Sequence, residues 1–134
     1  MDTATKRKIT EVFSACPQVV VAYFFGSRAR GDAGPMSDYD FAVQFDKLSS
    51  LERSDLKLKL LADLSYILKV DAVDLVILND AISPELKYAA IAEGEIIFER
   101  EPFRVLTEPK ILNEYFDFRK ILLRHGLTKK VYVE

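Results

Sequence analysis

Residues 18–25 (QVVVAYFF) form an almost wholly apolar, β-prone run that Gly26-Ser27 breaks. Ten residues then separate Ser27 from Asp38-Tyr39-Asp40, which leads into a second β-prone run ending at Phe45. The pattern ties two strands together through a loop rich in glycine and arginine. It also sets a pair of carboxylates at the mouth of the second strand. A chain built this way needs a sheet with a polar site at one end.

Each residue type in the loop has a physical job. Gly26 lets the backbone approach a bulky anion in an unusual conformation. Free N–H groups after a strand, at the start of a short helix, favour phosphate, and the Ser27 hydroxyl can donate to a phosphate oxygen. Asp38 and Asp40 point to one face of a strand, with Cα atoms roughly 6.6 Å apart. Two hard carboxylates so placed suit Mg²⁺ shared with substrate phosphates. They could also hold two ions roughly 4 Å apart for an in-line displacement. Arg28 and Arg30 carry two readings, contact with a triphosphate or a brace to Asp32 or another carboxylate. Ser37 either orients the strand entry or accepts hydrogen bonds beside the metal site. The plain alternative for the whole stretch is a polar loop with a capping serine and two solvated aspartates.

The chain has 134 residues, the length of one domain with a sizeable core. A net charge of −2 supplies no basic excess for a nucleic-acid duplex, so no direct nucleic-acid partner is expected. The single cysteine, Cys16, forbids an internal disulfide and fits a reducing cytoplasm. No signal peptide or membrane-spanning run is expected.

In order, residues 2–15 read as a helix with Ile9, Val12 and Phe13 on its apolar face. Residues 49–69 read as a second helix, with Ser49 and Glu52 as a capping box and Leu60, Leu64, Ile67 and Leu68 facing the core. Residues 71–78 (DAVDLVIL) read as a strand in which Asp74 interrupts an apolar run. A buried, unpaired carboxylate is costly, so a partner is expected there, a metal shared with Asp38 and Asp40 being the economical one. The helix that follows starts at Ser83-Pro84 and stops at Gly94. Residues 95–100 read as an edge strand. Residues 107–125 read as a last helix, with Thr107, Glu108 and Pro109 as its start and apolar residues on two faces. Its second face is either packed across its own domain or meets a partner chain. The tail, 128–134, reads as a strand or frayed end.

Gly26, Ser27, Asp38 and Asp40, in their GSRARGD and SDYDFAV settings, resemble the signature of the polymerase-β-like nucleotidyltransferase superfamily, in its minimal nucleotidyltransferase branch. The run EGEIIFER resembles that branch's closing element. The resemblance implies an α/β (α+β) fold with a mixed sheet flanked by helices. Residues 1–106 would form the nucleotidyltransferase domain, and 107–134 a C-terminal helix and tail within the same single domain. It implies Asp38, Asp40 and Asp74 as catalytic and metal-holding residues, with Asp74 matching the superfamily's third carboxylate. It places ATP at Gly26, Ser27, Arg28, Arg30 and Ser37, with Mg²⁺, in two ions, as cofactor. Among subfamilies the chain looks most like the antitoxins of HepT/MntA toxin–antitoxin pairs. That implies transfer of AMP onto a tyrosine of a HEPN-domain, HepT-like toxin within a hetero-oligomer. Two alternatives stay open: an antitoxin acting by contact alone, and a transferase for a small molecule such as an antibiotic.

Overall fold

The computed structural model describes residues 1–34 and 37–126. Pro35, read as a turn marker, and the tail 128–134 lie outside the described residues. The chain runs α1 (Thr3–Ser14), β1 (Val19–Phe25), α2 (Ser27–Arg30), β2 (Tyr39–Phe45), α3 (Ser50–Leu68), β3 (Val73–Ile77), α4 (Pro84–Glu93), β4 (Glu95–Glu99) and α5 (Phe103–Arg124). The strands form one sheet in the order β3-β2-β1-β4. β1 is antiparallel to both β2 and β4, and β2 is parallel to β3. Parallel neighbours need a long crossover, and α3 supplies it.

Every residue of β1 is buried, which accounts for its unbroken apolar sequence: helices cover both faces of this central strand. On one face α1 and α3 bring Ile9, Phe13, Leu60 and Leu64 against Phe24, Phe41, Val43 and Leu75. On the other, Ala90 of α4 and Ile111 of α5 close over Val21, Tyr23, Phe25, Ala42 and Leu78. β2 alternates as its sequence predicts, with Phe41 and Val43 toward the first core and Ala42 toward the second. Asp40 shares the face of Ala42. β4 lies at the sheet edge, as expected.

The helix signals hold where a cap fixes them. Ser49 accepts from the Glu52 N–H at 3.2 Å and Glu52 Oε1 accepts from the Ser49 N–H at 3.0 Å, closing the capping box. Ser49→Ala is expected to lower stability by about 1 kcal/mol, read by urea unfolding, with catalysis untouched. Ser83 caps α4 with Pro84 in its first turn.

α5 departs from the sequence expectation. It begins at Phe103, so Pro109 lies inside the helix rather than at its start. A proline there forfeits one helical hydrogen bond. The preceding turn is held instead by side chains: Tyr23 Oη donates to Glu108 Oε2 at 2.5 Å, and Arg104 Nε donates to the same oxygen at 2.8 Å. Burial, then that carboxylate, push the Tyr23 phenol well above its ordinary range.

Candidate active site

Gly26 stands between β1 and α2 with φ 86° and ψ −168°, a conformation that only glycine adopts readily. Its bare Cα is also needed for space. A Cβ there would lie 2.3 Å from Asp40 Oδ2. The register explains the closeness, because Phe25 at the end of β1 pairs with Asp40 of β2. The glycine therefore seats a carboxylate directly under the loop. α2 follows at once, and its first N–H groups have no intrahelical partner. The Ser27 hydroxyl bonds to no described residue.

Parallel pairing of β2 with β3 sets Asp40 directly beside Asp74. Side chains at paired positions of neighbouring strands share a face, so these carboxylates are neighbours. Asp38 lies two residues before Asp40, just ahead of the strand. Partial burial, then the Asp74 and Asp38 charges, push the Asp40 carboxyl above its usual value, while Arg30 pulls the other way. A carboxylate set strained by its own charge is relieved by a cation.

One premise of the sequence reading is corrected. Asp74 is not buried: β3 is an edge strand, and Asp74 is exposed on it, with Oδ1 accepting from the Leu75 N–H at 2.9 Å. Nothing in its surroundings demands a charged partner. What brings it to the site is register alone. Among the described residues no three His, Cys, Asp or Glu side chains converge as a closed metal cluster. The carboxylates form an open set, as suits an ion that takes part of its coordination from substrate phosphates and water.

The arginines act as braces in this structure. Arg28 donates from Nε to the Ser37 carbonyl at 2.9 Å, and its guanidinium lies 4.2 Å from the centre of the Tyr39 ring. Arg30 reaches Asp32 Oδ2 at 3.3 Å and Glu93 Oε1 on α4 at 3.4 Å. Ser37 turns its hydroxyl back into the loop, accepting from the Gly34 N–H at 3.0 Å. These contacts tie the loop to β2 and α4 and fix where Asp38 enters. Sequence reasoning missed Tyr39 as the seat of Arg28 and Glu93 as a partner of Arg30. The first was signalled by an aromatic residue between the two aspartates. The second had no local signal, since the loop and the end of α4 lie far apart in sequence.

The Asp40 shift has a measurable consequence. A carboxyl whose folded value is raised is penalised at neutral pH and recovers that stability as pH falls through the raised value. Asp40→Asn is therefore expected to raise Tm at neutral pH in a metal chelator. The gain should vanish below the unfolded carboxyl value, about pH 3.9. A lower Tm at neutral pH would contradict the charge crowding.

The fold has known counterparts. A toxin–antitoxin structure with AMP-PNP superposes at a TM-score of 0.69, with 26% identity over 92% of this chain and 98% of that one. A tri-AMPylated HEPN toxin of Shewanella oneidensis in complex with its MNT antitoxin matches at a TM-score of 0.66, with 25% identity over 96% of this chain and all of that one. A structure described as a candidate minimal nucleotidyltransferase is 34% identical over 71% of this chain and 95% of its own, at a TM-score of 0.52. No curated protein sequence matches. Among the described residues no helix is long and apolar enough to cross a membrane. The family profile "Polymerase beta, Nucleotidyltransferase" matches residues 7–103, spanning the Gly26-Ser27 loop and all three aspartates, and the chain belongs to that family.

Proposed function

We propose that this chain is the antitoxin of a toxin–antitoxin pair, and that it neutralises a HEPN-domain toxin by transferring AMP from ATP to a tyrosine hydroxyl. The observation that carries the reading is the seating of Asp40 against Gly26, beside Asp74 in the parallel register. It joins a phosphate-sized loop to a carboxylate pair. The likeness to a tri-AMPylated toxin bound to an MNT antitoxin supplies the acceptor class.

Asp38, Asp40 and Asp74 would hold Mg²⁺, whose chemistry when bound is to neutralise the triphosphate and acidify the acceptor hydroxyl. The donor set fits: all three are hard oxygen ligands, and they are crowded enough to gain from a cation. The chain's own groups do the rest. Ser27 and the first N–H groups of α2 take the phosphates. Arg28 and Ser37 hold the loop in place around them, and Arg30 stands close enough to Asp40 to offset some of its charge. The tyrosine oxygen bonds to the α-phosphorus, the bond from the α-phosphorus to the bridging oxygen breaks, and pyrophosphate leaves with that electron pair. Asp74, the exposed member of the set, takes the hydroxyl proton. No covalent enzyme intermediate is needed, because positioning and charge neutralisation carry chemistry of this kind.

The test is the intact mass of the cognate HEPN-domain toxin after incubation with this chain, ATP and Mg²⁺. Gain of one or more AMP units supports the reading. A stable complex with unchanged mass would assign the chain to antitoxins that act by contact. Neither complex nor mass change would return small-molecule acceptors to the front.

A further inference from the structure

α5 carries two apolar stripes, and only one is used inside the domain. The inner one centres on Ile111, buried in the second core, and on Tyr115, which stacks on Tyr88 of α4 at 3.9 Å. The outer one is Val105, Pro109, Leu112, Phe116, Arg119 and Leu123, recurring at steps of four and three along the helix. Val105 is 69% exposed, Phe116 45% and Leu123 38%. Alternating steps of four and three give a period of 3.5 residues, the repeat that keeps a seam aligned with a second helix wound around the first. A strand or a flat surface imposes no such period. Over 22 residues the seam is about 33 Å long.

The solvent-side flank of this seam is basic. Lys110, Lys120 and Arg124 are exposed there, against Asp117 alone. We propose that the outer stripe docks an α-helix of the toxin partner, one with an apolar heptad stripe flanked by acidic residues. The proposal rests on the toxin–antitoxin reading and names the surface that reading leaves unassigned. A second copy of this chain fits the charge poorly. Parallel pairing sets Lys120 and Arg124 near their own counterparts, and antiparallel pairing sets Lys120 opposite Leu106. Neither provides the acidic flank.

The test is calorimetric titration of the full chain with the cognate HEPN-domain toxin. Phe116→Glu combined with Leu123→Glu should weaken binding by at least about 100-fold, the scale of losing an interface hot spot. Leu51→Glu, at a position 77% exposed on α3, should change it less than about two-fold. Lys120→Glu with Arg124→Glu should also weaken binding, more so at low salt. Unchanged affinity in a folded seam variant overturns the proposal. If the seam variant does not fold, hydrogen exchange of the unaltered complex decides. Slowed exchange along residues 105–123 supports the seam, and slowing confined to other elements overturns it. A self-association that the same substitutions abolish, with toxin affinity intact, would assign the seam to a second copy and also overturn it. AMP transfer measured on the same samples separates the two claims. Tight, seam-dependent binding without transfer sinks the enzymatic reading and leaves the docking helix in place.

Discussion

Replacing Asp38 and Asp40 together by asparagine is expected to lower AMP transfer by at least about 10³-fold, the scale of removing a main electrostatic stabiliser of the transition state. Toxin binding should persist, because the outer stripe of α5 is separate from the carboxylates. Unlike a destabilising core change, this variant should not lose Tm in a chelator, since it removes like charges crowded around Asp40. A dead enzyme that is no less stable and still binds its partner separates chemistry from folding. If the double variant still transfers AMP, the three aspartates are not the catalytic set.

The second large effect is at Gly26. Gly26→Ala meets two penalties at once. The backbone angle alone costs about 1–3 kcal/mol for a residue with a side chain. The new methyl must also displace the Asp40 carboxylate, which lies 2.3 Å from where it would sit. Transfer is expected to fall by about 100-fold or more, as a catalytic group is moved by about an ångström. Tm should drop by roughly 4–12 °C. Gly31→Ala is the control. Its φ is 84°, so it bears a similar strain, but a Cβ there meets nothing within 4 Å. It should lose stability while keeping most of its transfer rate at a temperature where it is folded. Equal loss of rate in both variants would mean that loop strain, not the seating of Asp40, is what Gly26 protects.

Much of this was legible before the structure, and the reason differs by element. β1 could be read because a strand covered on both faces must be apolar throughout, and residues 18–25 are nearly so. α3 and α4 could be read because caps act locally: Ser49 with Glu52, and Ser83 with Pro84, bond or pack within one turn. The start of α5 was misread because Pro109 is a strong local signal overruled by a distant one. Tyr23 and Arg104 both hold Glu108, and that contact holds the turn ahead of the proline. The site shows the same division. Spacing alone put Asp38 and Asp40 on one face of a strand. That Asp74 stands beside Asp40 follows from parallel strand pairing, a long-range property that sequence does not display. The argument from burial reached the right residue for a reason the exposed edge strand does not support. Likewise the ties from Arg28 to Ser37 and from Arg30 to Glu93 depend on tertiary contacts, so neither reading of the arginines could be preferred in advance.

The most direct test of the account is to follow the phosphorus. The chain would be incubated with its cognate HEPN-domain toxin, Mg²⁺ and ATP labelled with ³²P at either the α or the γ position. Label from the α position should appear on the toxin, stay attached through denaturation, and be absent with Asp40→Asn; label from the γ position should not appear. Incorporation from the γ position, or incorporation from the α position that Asp40→Asn leaves unchanged, would contradict nucleotidyl transfer at this site.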